Sequence, residues 1–254
     1  MKLTRRNYHS RAANNVFMSV SQFKAFTKCP AAALAEIRGR YKRERTPCLI
    51  VGSYIDAHFS GEMDKFKKEN RIIFKQDGTL KADYAAADKI IARIERERLM
   101  RKFVSGKPQI VLEGEISGVK TKIRVDSLHD DKIVDLKIMK DFDTIYDDAK
   151  GELPWWEYWG YDIQGAVYQE IVRQNVGRVL PFYLVAATKE KATDIDILQL
   201  GPKTLSFAME NFTAHVEEYD AMKRGVIPAP RCEKCEYCRR TKRIRAPRCS
   251  DEEW

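Results

Sequence analysis

The 254-residue sequence has no apolar run approaching the roughly 18–20 residues that a membrane-spanning helix needs. Its first segment, residues 1–15, also lacks the apolar stretch of a secretory signal peptide. Glycine and proline are few, with 13 and 9 residues, which argues against collagen-like and low-complexity chains. We therefore expect a soluble, cytoplasmic protein without a membrane partner. Its 44% hydrophobic residues suffice for a sizeable core in a single domain over residues 1–254.

Acidic residues are in deficit, because 46 lysines and arginines face 37 aspartates and glutamates and leave a net charge of +9. A basic surplus favours a polyanionic partner such as a nucleic acid. The basic residues concentrate at 38–45 and 239–245, and acidic residues gather between these runs at 141–148. This distribution suits a metal-using enzyme that binds phosphates. Either basic run taken alone is equally well explained as solvated surface.

Hydrophobic periodicity divides the chain into helical and extended parts. Helical patterns cover 18–59, where Ser21 is the expected N-cap of the first helix, and 81–102. The pattern changes to alternation at Gln109 and predicts three strands, then a helix, two more strands and a long helix. This order predicts an α/β fold with a mixed central sheet flanked by helices. The expected parts are an N-terminal helical part (18–59), a sheet core (109–200) and a cysteine-rich tail (228–254).

An acidic and a basic side chain interrupt the third predicted strand. Asp135 and Lys137 lie two residues apart within the apolar segment 133–138, so both point to the same face. Burying them is costly unless they are paired or bind a metal. A turn at 129–132 would place Asp126, on the preceding strand, beside Asp135. Two adjacent carboxylates repel each other, and a bound divalent cation relieves that repulsion.

A metal at this position would give Lys137 a role, because an ammonium group beside it can orient a water molecule and neutralise charge on a phosphate. The next helix adds Gln164 and Tyr168, which lie four residues apart and share one face. The alternative interpretation is a cross-strand ion-pair network of Asp126, Lys137 and Arg124, which would serve stability alone.

These elements follow one another along the chain in the order Asp126, Asp135-Leu-Lys137, Gln164, Tyr168. In this order the chain resembles the PD-(D/E)XK nuclease superfamily, and most of all its RecB-like branch, which includes the RecE-like phage exonucleases. The resemblance implies a restriction-endonuclease-like fold and a Mg²⁺ or Mn²⁺ ion bound by Asp126, Asp135 and the Leu136 carbonyl. It further implies that Lys137 assists the attacking water and that the two helix residues bind DNA or support the site.

The sequence departs from that branch at an early helix, which usually carries a histidine four residues after its glycine. Here Asp56 follows Gly52 at that spacing, and His58 comes two residues later. Asp56 is a hard oxygen donor and a candidate metal ligand, while His58 is more typical of a core or surface histidine. On the first strand Glu115 is a further candidate ligand. Glu113 competes with it for that role, and solvent exposure is the alternative for both.

Two-residue gaps separate three cysteines of the tail, namely Cys232, Cys235 and Cys238. Such a run suits one soft metal centre, and with a remote fourth cysteine it is typical of a 4Fe-4S cluster. Cys29 resembles the N-terminal half of the iron–sulfur staple of some RecB-like nucleases, which implies that the tail is tied back to the N-terminal part. The alternative is zinc bound by the run and Cys249. Cys48 is expected to be an ordinary buried cysteine.

An aromatic cluster of Trp155, Trp156 and Trp159 precedes the helix of Gln164. It suits either a platform for stacking unpaired bases or anchoring of that helix in the core.

The sequence favours a Mg²⁺- or Mn²⁺-dependent DNA exonuclease that hydrolyses phosphodiester bonds at single- or double-stranded DNA ends. We expect a role in recombination or repair, an origin in a phage, and a recombination protein or further copies of the chain as candidate partners. One alternative is a non-catalytic nucleic-acid-binding protein with a structural zinc or iron–sulfur site. Another is a redox or sensory role for that centre.

Overall fold

A computed structural model describes residues 1–44 and 47–244, without the side chains of residues 47 and 48. The predictions for the Cys48 side chain and for Cys249 therefore lie outside the described residues. The helices are α1 (Arg11–Val16), α2 (Val20–Lys28), α3 (Pro30–Ile37), α4 (Pro47–Phe59), α5 (Met63–Glu69), α6 (Ala82–Arg96), α7 (Arg98–Val104), α8 (Trp155–Tyr158), α9 (Tyr161–Val176), α10 (Pro202–Arg224) and α11 (Glu236–Arg240), with a 3-10 turn at Arg71–Ile73. The strands are β1 (Lys107–Ile116), β2 (Val119–Leu128), β3 (Ile133–Met139), β4 (Ile145–Asp147), β5 (Gly151–Leu153), β6 (Phe182–Thr188) and β7 (Ile195–Gln199).

The central sheet has five strands in the order β1-β2-β3-β6-β7. The first three form an antiparallel meander, because short turns join them, whereas β3 and β6 are parallel. A parallel pair needs a long crossover connection, and α9 lies in that connection. β7 adds to β6 in antiparallel fashion, and β4 and β5 form a separate small hairpin. The predicted α/β fold with a mixed sheet is confirmed.

The two faces of the sheet enter different cores, because successive side chains of a strand point in opposite directions. Ile133 and Leu184 pack in the core that also contains residues of α2, α9 and α10. Their sequence neighbours Val134 and Val185 pack in a second core, together with residues of α4, α6 and α7. Helices therefore cover both faces of the sheet, as expected from the sequence.

Helix α9 approaches the sheet closely because it carries glycine at position 165. A Cβ atom at Gly165 would lie 2.8 Å from the Phe182 ring and 2.9 Å from the Leu205 side chain. An alanine would therefore push α9 away from β6 and α10. Since Gln164 and Tyr168 lie on the same stretch of helix, this close approach also sets their depth in the molecule.

Two local expectations are wrong. Ser19 caps α2 in place of Ser21, because the Ser19 side chain accepts from the Gln22 amide while the Gln22 side chain bonds the Ser19 backbone. The helical pattern at 81–102 belongs to two helices, since the backbone is extended at Glu97, between α6 and α7. Among the described helices, none combines the length and the apolarity required to cross a bilayer.

Candidate active site and four-cysteine centre

Asp126 on β2 and Asp135 on β3 come together across the predicted hairpin. The ladder pairs Ser127 with Val134, and continuing this antiparallel register sets Asp126 opposite Asp135. Asp126 Oδ2 accepts a hydrogen bond from the Leu136 amide at 3.1 Å. Asp135 is 1% exposed, so its charge is held almost entirely away from water.

The ammonium group of Lys137 contacts a carboxylate and an aromatic ring. Its Nζ forms an ion pair with Asp135 and lies 4.6 Å from the centroid of the Tyr161 ring. Burial lowers the pKa of Lys137, the Asp135 carboxylate raises it, and the net shift is upward. Lys137 is therefore a permanent cation at neutral pH. Among the described residues Arg124 forms no ion pair, so the alternative network of Asp126, Lys137 and Arg124 is not formed.

Gln109 also lies in this site, although the sequence analysis did not select it. Its side-chain amide donates to Asp56 Oδ1 at 3.0 Å and to Asp126 Oδ1 at 3.3 Å. The residue is buried and has a φ of 53°, a left-handed conformation that a non-glycine residue seldom adopts. A glutamine at the start of an apolar strand is the one signal that could have identified it.

Glu115 does not join the site, and its prediction as a metal ligand is wrong. The register of β1 and β2 places Glu115 opposite Lys120, on the exposed part of the hairpin. The same register places Gln109 opposite Asp126. Six residues separate the two positions on β1, or about 20 Å along the strand. His58 also points elsewhere, since its Nε2 contacts Glu95 on α6 at 2.7 Å.

Helix α9 contributes the two polar side chains that its pattern predicts. Gln164 Nε2 donates to Asp135 Oδ1 at 2.6 Å. The Tyr168 hydroxyl donates to the Arg124 carbonyl at 3.0 Å and so fastens α9 to β2. Both side chains are buried and lie about one helical turn apart. Gln164 therefore orients a carboxylate, and Tyr168 holds the helix that presents Gln164.

The three carboxylates of the site destabilise one another. Burial and the charges of Asp135 and Asp56 raise the pKa of Asp126 well above its ordinary value. The pKa of Asp56 is raised as well, because burial and the charge of Asp135 together outweigh the lowering effect of Arg124. Asp135 Oδ2 is buried and faces the ammonium group of Lys137. Such a cluster is costly unless a cation joins it.

The donor set fits a hard divalent cation. Asp56, Asp126 and Asp135 offer carboxylate oxygens, and oxygen-only ligand sets are those that Mg²⁺ and Mn²⁺ prefer. Asp126 and Asp56 form no ion pair with the described residues, so their carboxylates are available to such a cation. The carboxylates stand further apart than the cysteines described below, which form the one group of three or more ligands found close together in the described chain.

A cavity of about 300 Å³ opens onto these residues. Asp126 and Asp135 form its acidic side, and Lys137, Lys24 and Arg124 supply positive charge around it. Lys24 Nζ donates to the carbonyls of Trp159 and Gly160 at 2.9 and 3.3 Å, at the start of α9. Burial and Lys137 lower the pKa of Lys24 to about 8. The cavity therefore places two carboxylates beside a group of basic side chains.

Four cysteines meet at the opposite end of α2. Cys29 follows α2, and Cys232, Cys235 and Cys238 come from the segment that leads into α11. All four sulfurs lie within 4.8 Å of one another, with 3.6 Å between Cys29 and Cys238 and 4.0 Å between Cys232 and Cys238. All four are free thiols. The structure thus brings together the four cysteines selected from the sequence, and the group can hold a metal.

The four sulfurs have contrasting environments. The backbone amides of Lys234 and Cys235 lower the pKa of Cys232 to about 6. Burial raises the pKa of Cys238 to about 12. The Cys235 amide lies 3.3 Å from the Cys232 sulfur, and the Cys238 amide lies 3.5 Å from the Cys235 sulfur. Amide donors aimed at sulfur stabilise thiolates, the form in which cysteine binds metals.

The basic runs and the tryptophans surround these two sites. The Tyr41 hydroxyl donates to Glu236 at 3.1 Å, so the described parts of the runs, 38–44 and 239–244, lie near each other beside the cysteines. Trp155 is 5% exposed and packs in the core, whereas Trp159 is 44% exposed. The tryptophan cluster is therefore divided between the core and the surface.

The model of one protein family, described as "PDDEXK-like domain of unknown function (DUF3799)", matches residues 19–241. The chain belongs to this family. As a PDDEXK-like domain it confirms the resemblance to the PD-(D/E)XK nuclease superfamily. A crystal structure of a Eubacterium rectale protein described as "Putative exonuclease" is 41% identical to this PDDEXK-like domain, with a TM-score of 0.95 over 98% of this chain and 97% of that chain. Among curated proteins there is no significant match. Together these likenesses support a nuclease.

Proposed function

We propose that the protein is a Mg²⁺- or Mn²⁺-dependent deoxyribonuclease that removes nucleotides from DNA ends. The observation that carries the proposal is the meeting of Asp126, Asp135 and Lys137 in one cavity, with Gln164 bonded to Asp135. An exonuclease rather than an endonuclease is favoured by the likeness to the Eubacterium rectale protein. Recombination or repair, a phage origin, a partner protein and self-assembly stay predictions.

Asp56, Asp126, Asp135 and the Leu136 carbonyl would hold the divalent cation. When bound, that cation would supply Lewis-acid activation of a phosphate oxygen and of water. Gln109 and Gln164 keep the carboxylates in place through their amide hydrogen bonds. The site therefore needs little rearrangement of its own side chains before DNA binds.

Lys137 would act as a cation in this reaction. Because its ammonium group is held by Asp135 and its pKa is shifted upward, it donates hydrogen bonds and does not take up a proton at neutral pH. A fixed positive charge in a site of low polarity stabilises the extra negative charge that develops on the phosphate. Lys137 can at the same time donate to the attacking water and orient it.

The four-cysteine centre would hold a structural metal. A 4Fe-4S cluster is the expectation from the sequence. The sulfur separations favour zinc held by Cys29 and the run, a set that differs from the predicted zinc site with Cys249. Four thiolates at about 2.3 Å from one zinc ion stand about 3.8 Å apart, close to the 3.6 and 4.0 Å seen here. Metal analysis of protein purified without oxygen decides between iron with sulfide and zinc alone.

The proposed activity is tested with linear and circular DNA of the same sequence, incubated with the protein with and without Mg²⁺. We expect Mg²⁺-dependent loss of the linear DNA while the circular DNA persists. Loss of both forms would replace the exonuclease by an endonuclease. Binding without loss of either form, at any divalent cation, would favour the non-catalytic DNA-binding protein.

A further inference from the structure

The corner of the cavity next to Asp126 carries the guanidinium group of Arg124, which forms no ion pair with the described residues. Arg124 lies two residues before Asp126 on β2, so both side chains point to the same face and their Cα atoms are about 7 Å apart. In the described chain the Arg124 guanidinium has neither an ion pair nor a side-chain hydrogen bond. The guanidinium is half-buried and its N–H donors are unused within the described protein, so they are available to an anion in the cavity.

The N-terminal segment, residues 4–10, forms the wall of this corner. Tyr8 and His9 line the cavity, and the Arg124 guanidinium lies 5.7 Å from the centroid of the Tyr8 ring. This contact is within the range of a cation–π interaction and fixes the direction of Arg124. The family match begins at residue 19, so the wall lies outside the part of the chain that identifies the family.

Several contacts fasten the segment to the sheet. The buried Lys122 donates to the Tyr8 carbonyl at 2.5 Å and to Asn14 Oδ1 at 2.7 Å, and its Nζ lies 4.6 Å from the Tyr8 centroid. Arg5 donates to the Gln109 carbonyl at 2.9 Å. His9 is therefore held at the cavity by its neighbours, while its own ring forms no hydrogen bond with the described residues.

The imidazole of His9 suits an anion as well. Partial burial, Arg124 and Lys122 lower the pKa of His9 to about 4. The ring is then neutral at pH 7 and keeps one N–H donor. Arg124 supplies five further donors in a planar fork that matches a phosphate.

We propose that Arg124 and His9 form a phosphate subsite, which holds a nucleic-acid phosphate adjacent to the one placed at Asp126 and Asp135. This proposal rests on the proposed nuclease function and adds a substrate contact to it. The phosphate is either an internal phosphodiester or the monoester at a strand end. Both present non-bridging phosphate oxygens that can accept hydrogen bonds from Arg124 and His9.

The subsite is tested by equilibrium binding of a fluorescent single-stranded oligonucleotide, without divalent cations and over a range of salt concentrations. We expect Arg124→Gln to weaken binding roughly 10- to 100-fold, as for loss of a charged hydrogen bond. It should also reduce the slope of log Kd against log salt by about 0.7, the share of one phosphate contact on a single strand. His9→Gln should weaken binding by about 3- to 10-fold. Arg124→Lys should restore the slope but only part of the affinity.

Arg173→Gln is the matched control, because Arg173 is an exposed arginine paired with Glu170 on the other side of α9. It should change neither the affinity nor the slope. Oligonucleotides with phosphorylated or hydroxyl ends separate the two sources of the phosphate. A loss confined to the phosphorylated ends identifies the monoester, and an equal loss identifies the internal diester.

Failure of the subsite is distinct from failure of the proposed function. A wild-type protein that neither binds nor degrades DNA overturns both. A wild-type protein that binds DNA, with unchanged affinity and slope in Arg124→Gln and His9→Gln, overturns the subsite alone. If thermal melting shows that Arg124→Gln does not fold, Arg124→Lys and His9→Gln decide by the same criteria.

Discussion

At the scale of single residues, the site brings three carboxylates together, and within the described residues only Asp135 is in an ion pair. Lys137 pairs with Asp135, while Asp126 and Asp56 accept hydrogen bonds from the Gln109 side chain, and Asp126 accepts a further one from the Leu136 amide. Their pKa values are raised by burial and by mutual repulsion. The metal-free protein therefore bears a free-energy cost at neutral pH, which a divalent cation would remove.

Asp126→Asn should stabilise the metal-free protein at pH 7 and abolish cleavage. Removing one of three clustered charges relieves repulsion, and we expect the melting temperature to rise by at least about 2 °C, or roughly 1 kcal/mol for a chain of this size. Mg²⁺ should raise the melting temperature of the wild type but not of the variant. A variant that is less stable than the wild type without metal would contradict the proposed repulsion.

The same charges predict how stability depends on pH. Because the folded-state pKa values of Asp126 and Asp56 are raised, the folded protein binds more protons than the unfolded one above the ordinary carboxyl pKa of about 4. The free energy of unfolding contributed by these groups should thus fall as the pH rises from about 4 to their raised pKa values. Thermal melts in metal-free buffers check this fall, which should be weaker in Asp126→Asn and in the presence of Mg²⁺.

Lys137→Gln should reduce cleavage by about 10²- to 10³-fold, the usual cost of losing one group that stabilises transition-state charge. It removes the ammonium group next to Asp135 and keeps a side chain of similar length. Lys140→Gln is the matched control, since Lys140 is exposed and pairs with Asp141 outside the cavity. Single-turnover rates under saturating Mg²⁺ provide the measurement. Equal rates for the two variants would remove Lys137 from the proposed mechanism.

At the scale of elements, the depth of α9 in the molecule sets the position of Gln164. Gly165→Ala places a Cβ atom within 3 Å of Phe182 and Leu205. We expect a loss of about 1–3 kcal/mol in the free energy of unfolding, together with slower cleavage, because α9 moves away from Asp135.

Gly52→Ala provides the comparison, since a Cβ atom at Gly52 on α4 would meet nothing within 4 Å. It should stabilise the protein by up to about 1 kcal/mol through helix propensity. Chemical denaturation of both variants measures the difference. If Gly165→Ala were as stable as Gly52→Ala, the close packing of α9 would not be the reason for this glycine.

Local elements of the site were predictable and distant ones were not. Asp126 and Asp135 are joined by a short turn, so alternation and turn residues suffice to place them opposite each other. Gln109 reaches them from the third position of β1, where the backbone is left-handed, a conformation that no hydrophobic pattern encodes. Glu115 lies on the same strand as Gln109, and the register that brings one of the two to the site and not the other is a tertiary property.

At the scale of the whole molecule, the four cysteines join the two ends of the described chain. Cys29 follows α2, and α2 begins beside the cavity with Ser19 and Ser21. A metal bound to the four sulfurs would therefore fix both the C-terminal segment and the helix that borders the proposed active site. The basic runs near Tyr41 and Glu236 would be held together by the same link. We therefore expect the centre to stabilise the fold around the proposed active site and to take no part in the proposed hydrolysis.

Cys29→Ser should release the metal and lower the free energy of unfolding by about 3–5 kcal/mol, as expected for loss of a link that closes a loop of roughly 200 residues. Cleavage by the molecules that stay folded should continue at low temperature, because no cysteine lines the cavity of Asp126 and Asp135.

Cys249→Ser is the control that decides the fourth ligand. It should leave the metal content and the melting temperature unchanged, whereas loss of the metal in Cys249→Ser with retention in Cys29→Ser would assign the fourth ligand to Cys249. Metal content per folded chain is measured beside the cleavage rate. If the centre is structural, Cys29→Ser loses the metal but folded molecules still cleave DNA, whereas if it is catalytic, the metal and the cleavage are lost together.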